Sequence, residues 1–386
     1  MFIRGKNMQE TITGTERVEI KEEYKRFIGR KILFIFSCIT SIFVVAGISA
    51  TLGSYPITVV EVYSIIWHGF LKILPNVGFI ISHGISEFYR AYFTEDYTRM
   101  VVVWNLRLPR ILMGILAGIG LAVAGTVMQG ILRNPLASPY TLGISSSAGF
   151  GAGIAIIYGA GLVTWMGVKY LIIMNAFIFS LLPAFVIVAL TRFRGATPET
   201  MILAGIAMMY IFSGFLQLVY YFTEPDAMKE AYFWMVGSLG RASWENVPLV
   251  SVMLSCCVPL LIWKSWDLNV MQAGDENAKS LGINVERTRI FTMMLACLLT
   301  ASIISFVGCI GFIGLVAPHI CRIIIGGDNR FLIPASAFFG AAFLLGMDTI
   351  GRTIMAPVII PVGVMMDCIG GPFFLFLLMR RRREYW

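Results

Sequence analysis

RLPRILMGILAGIGLAVAGTVMQGILRNPLASPYTLGISSSAGFGAG (residues 107–153) opens on two arginines, runs without charge from Ile111 to Leu132, and breaks at Asn134-Pro135. An uncharged apolar run of that length reads as a membrane-spanning helix. Gly114, Gly118 and Gly125, with alanines between them, let a neighbouring helix approach the backbone closely. Asn134-Pro135 stops the helix in a tight turn, and Pro139 delays the next one. GISSSAG then starts a second helix with small polar residues suited to a polar cavity. The stretch specifies a tightly packed, multi-helix membrane protein.

The rest of the chain extends that pattern. Of 386 residues, 58% are apolar and 13% charged, against about 25% charged in a soluble domain. Recurrent long apolar runs indicate an all-α membrane protein rather than a barrel of short alternating strands. Ten spans are expected, at about 32–52, 108–131, 142–160, 169–191, 200–222, 246–266, 288–308, 315–327, 331–350 and 362–379. The short span at 315–327 is expected to extend into the glycine-rich turn before it. An eleventh apolar segment, SIIWHGFLKILPNVGFIIS (64–82), holds His68, Lys72, Pro75 and Asn76, which make insertion costly. It reads as an amphipathic segment on the outer surface.

Charge supports this count. With ten spans and both termini cytoplasmic, the inner segments hold 21 of the 30 Lys and Arg residues. Residues 1–31 then form an uncleaved cytoplasmic tail, 32–379 the transmembrane domain with a long outer segment at 53–106, and 380–386 a basic cytoplasmic tail. The formal charge of +8 is thereby a matter of topology and needs no nucleic acid. The seven cysteines lie in or beside apolar runs without a CxxC pair and read as small buried apolar residues. The three histidines are far apart and form no metal cluster. No catalytic residues or metal ligands emerge.

Three arginines break the positive-inside pattern. Arg107 and Arg110 share a helical face at the outer end of the second span, and Arg352 lies outside between the last two. One reading makes them snorkelling interface residues. The other makes them a positive dock for an acidic external partner, since arginine recognises carboxylates through paired bonds. In the cytoplasmic segment 267–287, Asp275 is expected to cap a short helix and Gly282 to end it, presenting Ala278 and Leu281 as a small protein-docking surface. The second and seventh spans run in opposite directions, and each leads into a stretch rich in glycine and broken by proline. That is the signature of an inverted internal repeat.

As a string, residues 107–153 closely resemble the permease subunits of type II ABC importers for iron–siderophore, haem and cobalamin. Matches continue in order through MILAGIAM (201–208), FWMVGSL (233–239), LNVMQAGDENAKSLGINVERTR (268–289), GFIGLVAPHICRIIIGGDNR (311–330) and PVGVMMDCIGGPFFLFLL (361–378). The resemblance implies an importer moving an iron chelate by alternating access across the cytoplasmic membrane. Its implied partners are a second permease copy or close homologue, two cytoplasmic ATPase subunits, and an external solute-binding protein. This chain would bind no cofactor, with ATP and Mg held by the ATPase subunits; it carries no GxxxxGK[ST] loop. Arg107, Arg110 and Arg352 match the arginines that dock the binding protein through its glutamates. Leu268, Gly274, Asp275, Ala278, Leu281 and Gly282 fall in the loop that couples to the ATPase. Asn134 and Leu136, with Thr197 and Thr200, fall at the cytoplasmic gate.

Ser213 and Gln217, with Gly205 and Gly214 on the same span, are candidate pathway residues. The chain departs from the family in its long segment 53–106 and in Asp367, a carboxylate within the last span, which is a further pathway candidate. His319 reads as a packing residue at a helix start. The competing class is an ion-coupled secondary transporter, which calls for carboxylates at mid-membrane; Asp367 is the one deep candidate, and the coupling loop would be unexplained. A receptor without transport would leave the gate unexplained.

Overall fold

The computed structural model describes residues 14–53, 55, 57–73, 75, 97–161 and 167–380. The first residues of the tail, most of the outer segment beyond Ile73, and Arg381 to Arg383 lie outside the described residues. Fifteen α-helices follow one another among those described: α1 (Gly14–Thr51), α2 (Val59–Ile73), α3 (Tyr97–Val101), α4 (Leu108–Leu132), α5 (Ile144–Tyr158), α6 (Val168–Arg194), α7 (Pro198–Tyr221), α8 (Pro225–Met235), α9 (Asn246–Trp263), α10 (Ser265–Gln272), α11 (Asp275–Ser280), α12 (Val285–Val307), α13 (Ile313–Ile325), α14 (Asn329–Thr353) and α15 (Val362–Arg380). Seven are long and apolar enough to cross a membrane, and three shorter apolar helices, Ile144–Tyr158, Ile313–Ile325 and Val362–Phe376, coincide with the remaining expected spans. The eighth span gains only two residues before Leu315, because Phe312 has a left-handed backbone that starts α13 abruptly.

Helix α4 is the axis of the bundle. Nearly all of its residues are buried, and two of its glycines, Gly118 and Gly125, meet the backbone of neighbouring helices. A Cβ added at Gly125 would lie 1.9 Å from the Gly314 carbonyl oxygen of α13, and one at Gly118 would lie 2.5 Å from the Gly340 carbonyl of α14. Membrane helices have no hydrophobic advantage in leaving lipid for one another, so such close backbone approach supplies the packing attraction. Around α4 one contiguous apolar core includes Met113, Leu121, Val127, Ile303 and Leu344.

Before α4, Val102–Arg107 forms a π-helical turn. Pro109 has no N–H to continue the α-helical bonding, and Leu108 N–H instead reaches back to the Val103 carbonyl. The Trp244 indole N–H donates to the Trp104 carbonyl in this turn at 2.7 Å. After α4, a turn and a short 3-10 helix (Pro139–Leu142) lead to the short α5; after α12, a break at 308–312 leads to the short α13. The two halves thus share the order long helix, break, short helix. At the second break, the Gly237 N–H donates to the Cys309 carbonyl at 3.0 Å and the Cys309 N–H to the Met235 carbonyl at 3.2 Å, so the non-helical backbone there is satisfied.

The seven cysteines are free, but Cys256 and Cys368 are exposed on the chain rather than buried as expected; they sit on helix faces that the rest of the chain leaves uncovered.

The glycine contacts give a direct test. Gly125→Ala should destabilise the protein by about 1–3 kcal/mol through overpacking. Gly130→Ala on the same helix, where nothing lies within 4 Å of the new atom, should be neutral or stabilising by at most about 1 kcal/mol. Thermal unfolding of the detergent-solubilised variants checks both.

Candidate functional site

Where α1 ends and α4 begins, the three arginines of the sequence reading converge. They are buried: Arg107 is 4% exposed, Arg110 8% and Arg352 5%. None of the three guanidinium groups lies open on the surface of this chain. Arg110 grips the fully buried Asp348 of α14 through Nη2 to Oδ1 at 2.7 Å and Nε to Oδ2 at 2.9 Å. Arg352, one turn further along α14, donates from Nε to the same carboxylate at 3.2 Å.

The remaining donors cap α1. The last carbonyls of a helix have no partner within it and carry partial negative charge. Arg107 donates to the Ala50 carbonyl at 2.7 Å and the Thr51 carbonyl at 3.0 Å, and to the Tyr55 carbonyl at 2.6 Å. Arg352 donates to the Ser49 and Leu52 carbonyls, each at 3.2 Å. Two helices thus hold the end of a third through charge-assisted bonds to its orphan carbonyls.

At the opposite end, α4 stops at Arg133, a left-handed residue with φ 47°. In the turn that follows, the Asn134 Oδ1 accepts the Leu136 N–H at 2.9 Å, and Leu136 is 42% exposed. Thr197 caps α7 by accepting the Thr200 N–H at 3.2 Å, and the two hydroxyls lie 3.0 Å apart. Helix α11 lies nearby. Gly274, with φ 118°, is its cap residue, so Asp275 does not cap the helix as expected. Its carboxylate turns instead to Arg133 and Arg289.

The docking surface is smaller than expected as well. Leu281 is 72% exposed, and Gly282, with φ 84°, ends the segment. Ala278 and Leu268 are fully buried, so neither is presented to a partner. Ala278 packs beneath α11 with Met271 and Val285, and Leu268 belongs to the main core.

Between these ends, the pathway candidates divide. Gly205 faces the Leu142 backbone, with 2.8 Å to the Leu142 Cα from an added Cβ, and serves packing. Ser213 donates to the Ser146 hydroxyl at 3.2 Å, joining α7 to the GISSSAG helix. Gln217 and Asp367 are exposed on faces of α7 and α15 that the chain itself leaves uncovered. Asp367 lies beside Gly311 in the second break, where an added Cβ would be 2.8 Å from Oδ1. Near it, Tyr140 accepts the Ile310 N–H at 3.0 Å and Ser145 donates to the Cys309 sulfur at 3.0 Å. His319 meets the Phe374 ring edge-on at 6.3 Å. Among the described residues no group of three or more His, Cys, Asp or Glu is placed to hold a metal.

Sequence reading did not identify Arg133 or Arg289 as site residues. Their signal is a cation at the boundary of an apolar run, which the positive-inside rule already explains; the distant carboxylate that gathers them is invisible in one sequence. Removing the equivalent carboxylate at the other end tests the arginine cluster. Asp348→Ala leaves buried arginines uncompensated and should cost about 3–5 kcal/mol in thermal unfolding. Lys169→Ala, which breaks an exposed pair with Glu245, should cost no more than about 1 kcal/mol.

Comparison with known proteins places this geometry in context. The model of the FecCD transport family matches residues 40–380. A putative ABC transporter permease protein of Methanocaldococcus jannaschii is 41% identical over 94% of this chain and 99% of its own length. The hemin transport system permease protein HmuU of Yersinia pestis is 38% identical over 75% of this chain and 87% of its own. A solved inward-facing conformation of a putative metal-chelate type ABC transporter shares the fold, with a TM-score of 0.73 over 91% of this chain and 100% of that one at 24% identity. With the family model spanning most of the sequence, the chain belongs to the FecCD transport family and is a permease subunit of an ABC importer.

Proposed function

We propose that this permease moves an iron chelate across the cell membrane by alternating access, with a ferric siderophore as the leading cargo and haem or cobalamin as alternatives. The family match over residues 40–380 carries the importer assignment. Relatives named for hemin, Fe(3+)-citrate and cobalamin transport motivate the chelate class. In this reading both termini and α11 are cytoplasmic. Two ATPase subunits hold ATP and Mg and seat on α11 through Leu281 and its charged neighbours. The turns at Asn134–Leu136 and Thr197–Thr200 form the inner gate.

A second copy of the chain covers the apolar face of α7, where Leu203, Tyr210 and Leu218 are each more than half exposed. Ser213, Gln217 and Asp367 then border the path between copies. A solute-binding protein docks at the arginine end. Within this cluster three arginines against one aspartate leave a net positive charge, whose field acts on an approaching partner across water. The arginines therefore act on an acidic partner through their field and by fixing the shape of the end, rather than as free hands on the surface.

The test is uptake into proteoliposomes holding the permease with its cognate ATPase and solute-binding protein. Labelled ferric siderophore, haem and cobalamin are offered in turn. ATP-dependent accumulation of one of them is expected. Uptake driven by an ion gradient by the permease alone would overturn the reading in favour of a secondary transporter. For docking, Val358→Cys, an exposed position in the segment after α14, should cross-link to the binding protein, and the affinity should fall as salt rises. Salt-independent association without that cross-link would remove the docking claim.

A further inference from the structure

The largest fully buried side chain among the described residues is a charged one, Arg289, at 2% exposure. Burying a guanidinium is costly, and its bonds show what is gained. Its Nε donates to the Ile131 carbonyl in the last turn of α4 at 3.1 Å. Its Nη1 donates to the Ala196 carbonyl, immediately before Thr197. Its Nη2 pairs with both oxygens of Asp275, at 2.9 and 3.1 Å. One side chain therefore joins the approach to the Asn134 turn, the approach to the Thr197 turn, and the first residue of α11.

Asp275 has a second cationic partner in Arg133, the residue just before Asn134. Arg133 in turn donates from Nε to the Met271 carbonyl at 3.0 Å, tying α10 into the same group. Helix α11 itself has only six residues and enters from a left-handed glycine, so its own backbone does little to fix it to the bundle. Its tether is the packing of Ala278 and the Asp275 carboxylate. Of these two, only the carboxylate is linked to both turns, directly through Arg133 and by way of Arg289 to the Ala196 carbonyl.

We propose that Asp275, held between Arg133 and Arg289, is a positioning residue that makes α11 and both gate turns move as one body, so that displacement of α11 is delivered to the gate. This rests on the reading of α11 as the ATPase seat and of the two turns as the gate. An apolar cluster could hold α11 in place equally well, but it would slide. A carboxylate shared by two guanidinium groups fixes direction as well as distance.

The experiment uses the assembled permease–ATPase complex in proteoliposomes with binding protein and labelled cargo, and reads cargo imported per ATP hydrolysed. Asp275→Asn should lower that ratio about tenfold, as expected when a charge-assisted pair becomes a neutral one. Asp275→Glu should restore most of it. Should Asp275→Asn fail to assemble, Arg133→Gln decides the matter. That side chain is partly exposed and its loss spares the Arg289–Asp275 pair, and the ratio should still fall severalfold.

A second readout separates coupling from mere stability. Leu136→Cys should change its thiol-labelling rate with nucleotide in the parent complex and lose that change in the Asp275 or Arg133 variants. An unchanged transport ratio together with a preserved nucleotide response in the variants would overturn the proposal. The underlying reading fails differently: Lys279→Cys on α11 would then give no cross-link to an ATPase subunit even with Asp275 intact.

Discussion

Two aspartates hold the central helix at its ends, and the remainder of the structure is arranged around that constraint. At one end Asp348 of α14 grips Arg110, and at the other Asp275 of α11 pairs with Arg133. Between the ends, Gly118 and Gly125 bring the backbones of α14 and α13 against α4 with no room for a side chain. Interiors packed at this density switch between discrete arrangements rather than deform continuously. A helix fixed at both ends and tightly flanked along its length therefore moves as a unit with whatever grips it.

The two clusters perform different tasks with the same chemistry. At the Asp348 end, Arg107 from the turn leading into α4 and Arg352 from α14 cap the last carbonyls of α1, so that cluster gathers three helices into a fixed frame. At the Asp275 end, arginines reach a six-residue helix that stands apart from the main core. The first arrangement has its carboxylate fully buried. The second leaves its carboxylate about a third exposed, at 30%.

The architecture was legible because apolar run length and charge placement report on lipid directly. The ten spans, the glycine contacts at Gly118 and Gly125, and the helix ending before Gly282 could be read from residue type and spacing alone. The breaks at Asn134-Pro135 and near Gly308 were legible for the same reason, since proline and glycine announce them. The arginine cluster was half legible. Position along the chain brought Arg107, Arg110 and Arg352 to one end, but their burial was not legible, because the carbonyls that bury Arg107 belong to a helix more than fifty residues away. Asp275 was singled out for a local reason, capping, whereas its partners Arg133 and Arg289 are a long-range matter in one case and a concealed one in the other. Spacing exposes interactions within a helix turn; it does not expose a carboxylate that serves three segments.

If Asp275 and its two arginines bind α11 and the turn after α4 into one rigid unit, that unit keeps its internal distances through the ATP cycle. Spin labels at Lys279→Cys and Leu136→Cys, with distances measured in the nucleotide-free and ATP-bound complex, test it most directly. The Lys279–Leu136 separation within one copy should stay constant while the Leu136–Leu136 separation between copies changes with nucleotide. A within-copy separation that shifts with nucleotide, while the two Leu136 positions keep their spacing, would contradict it.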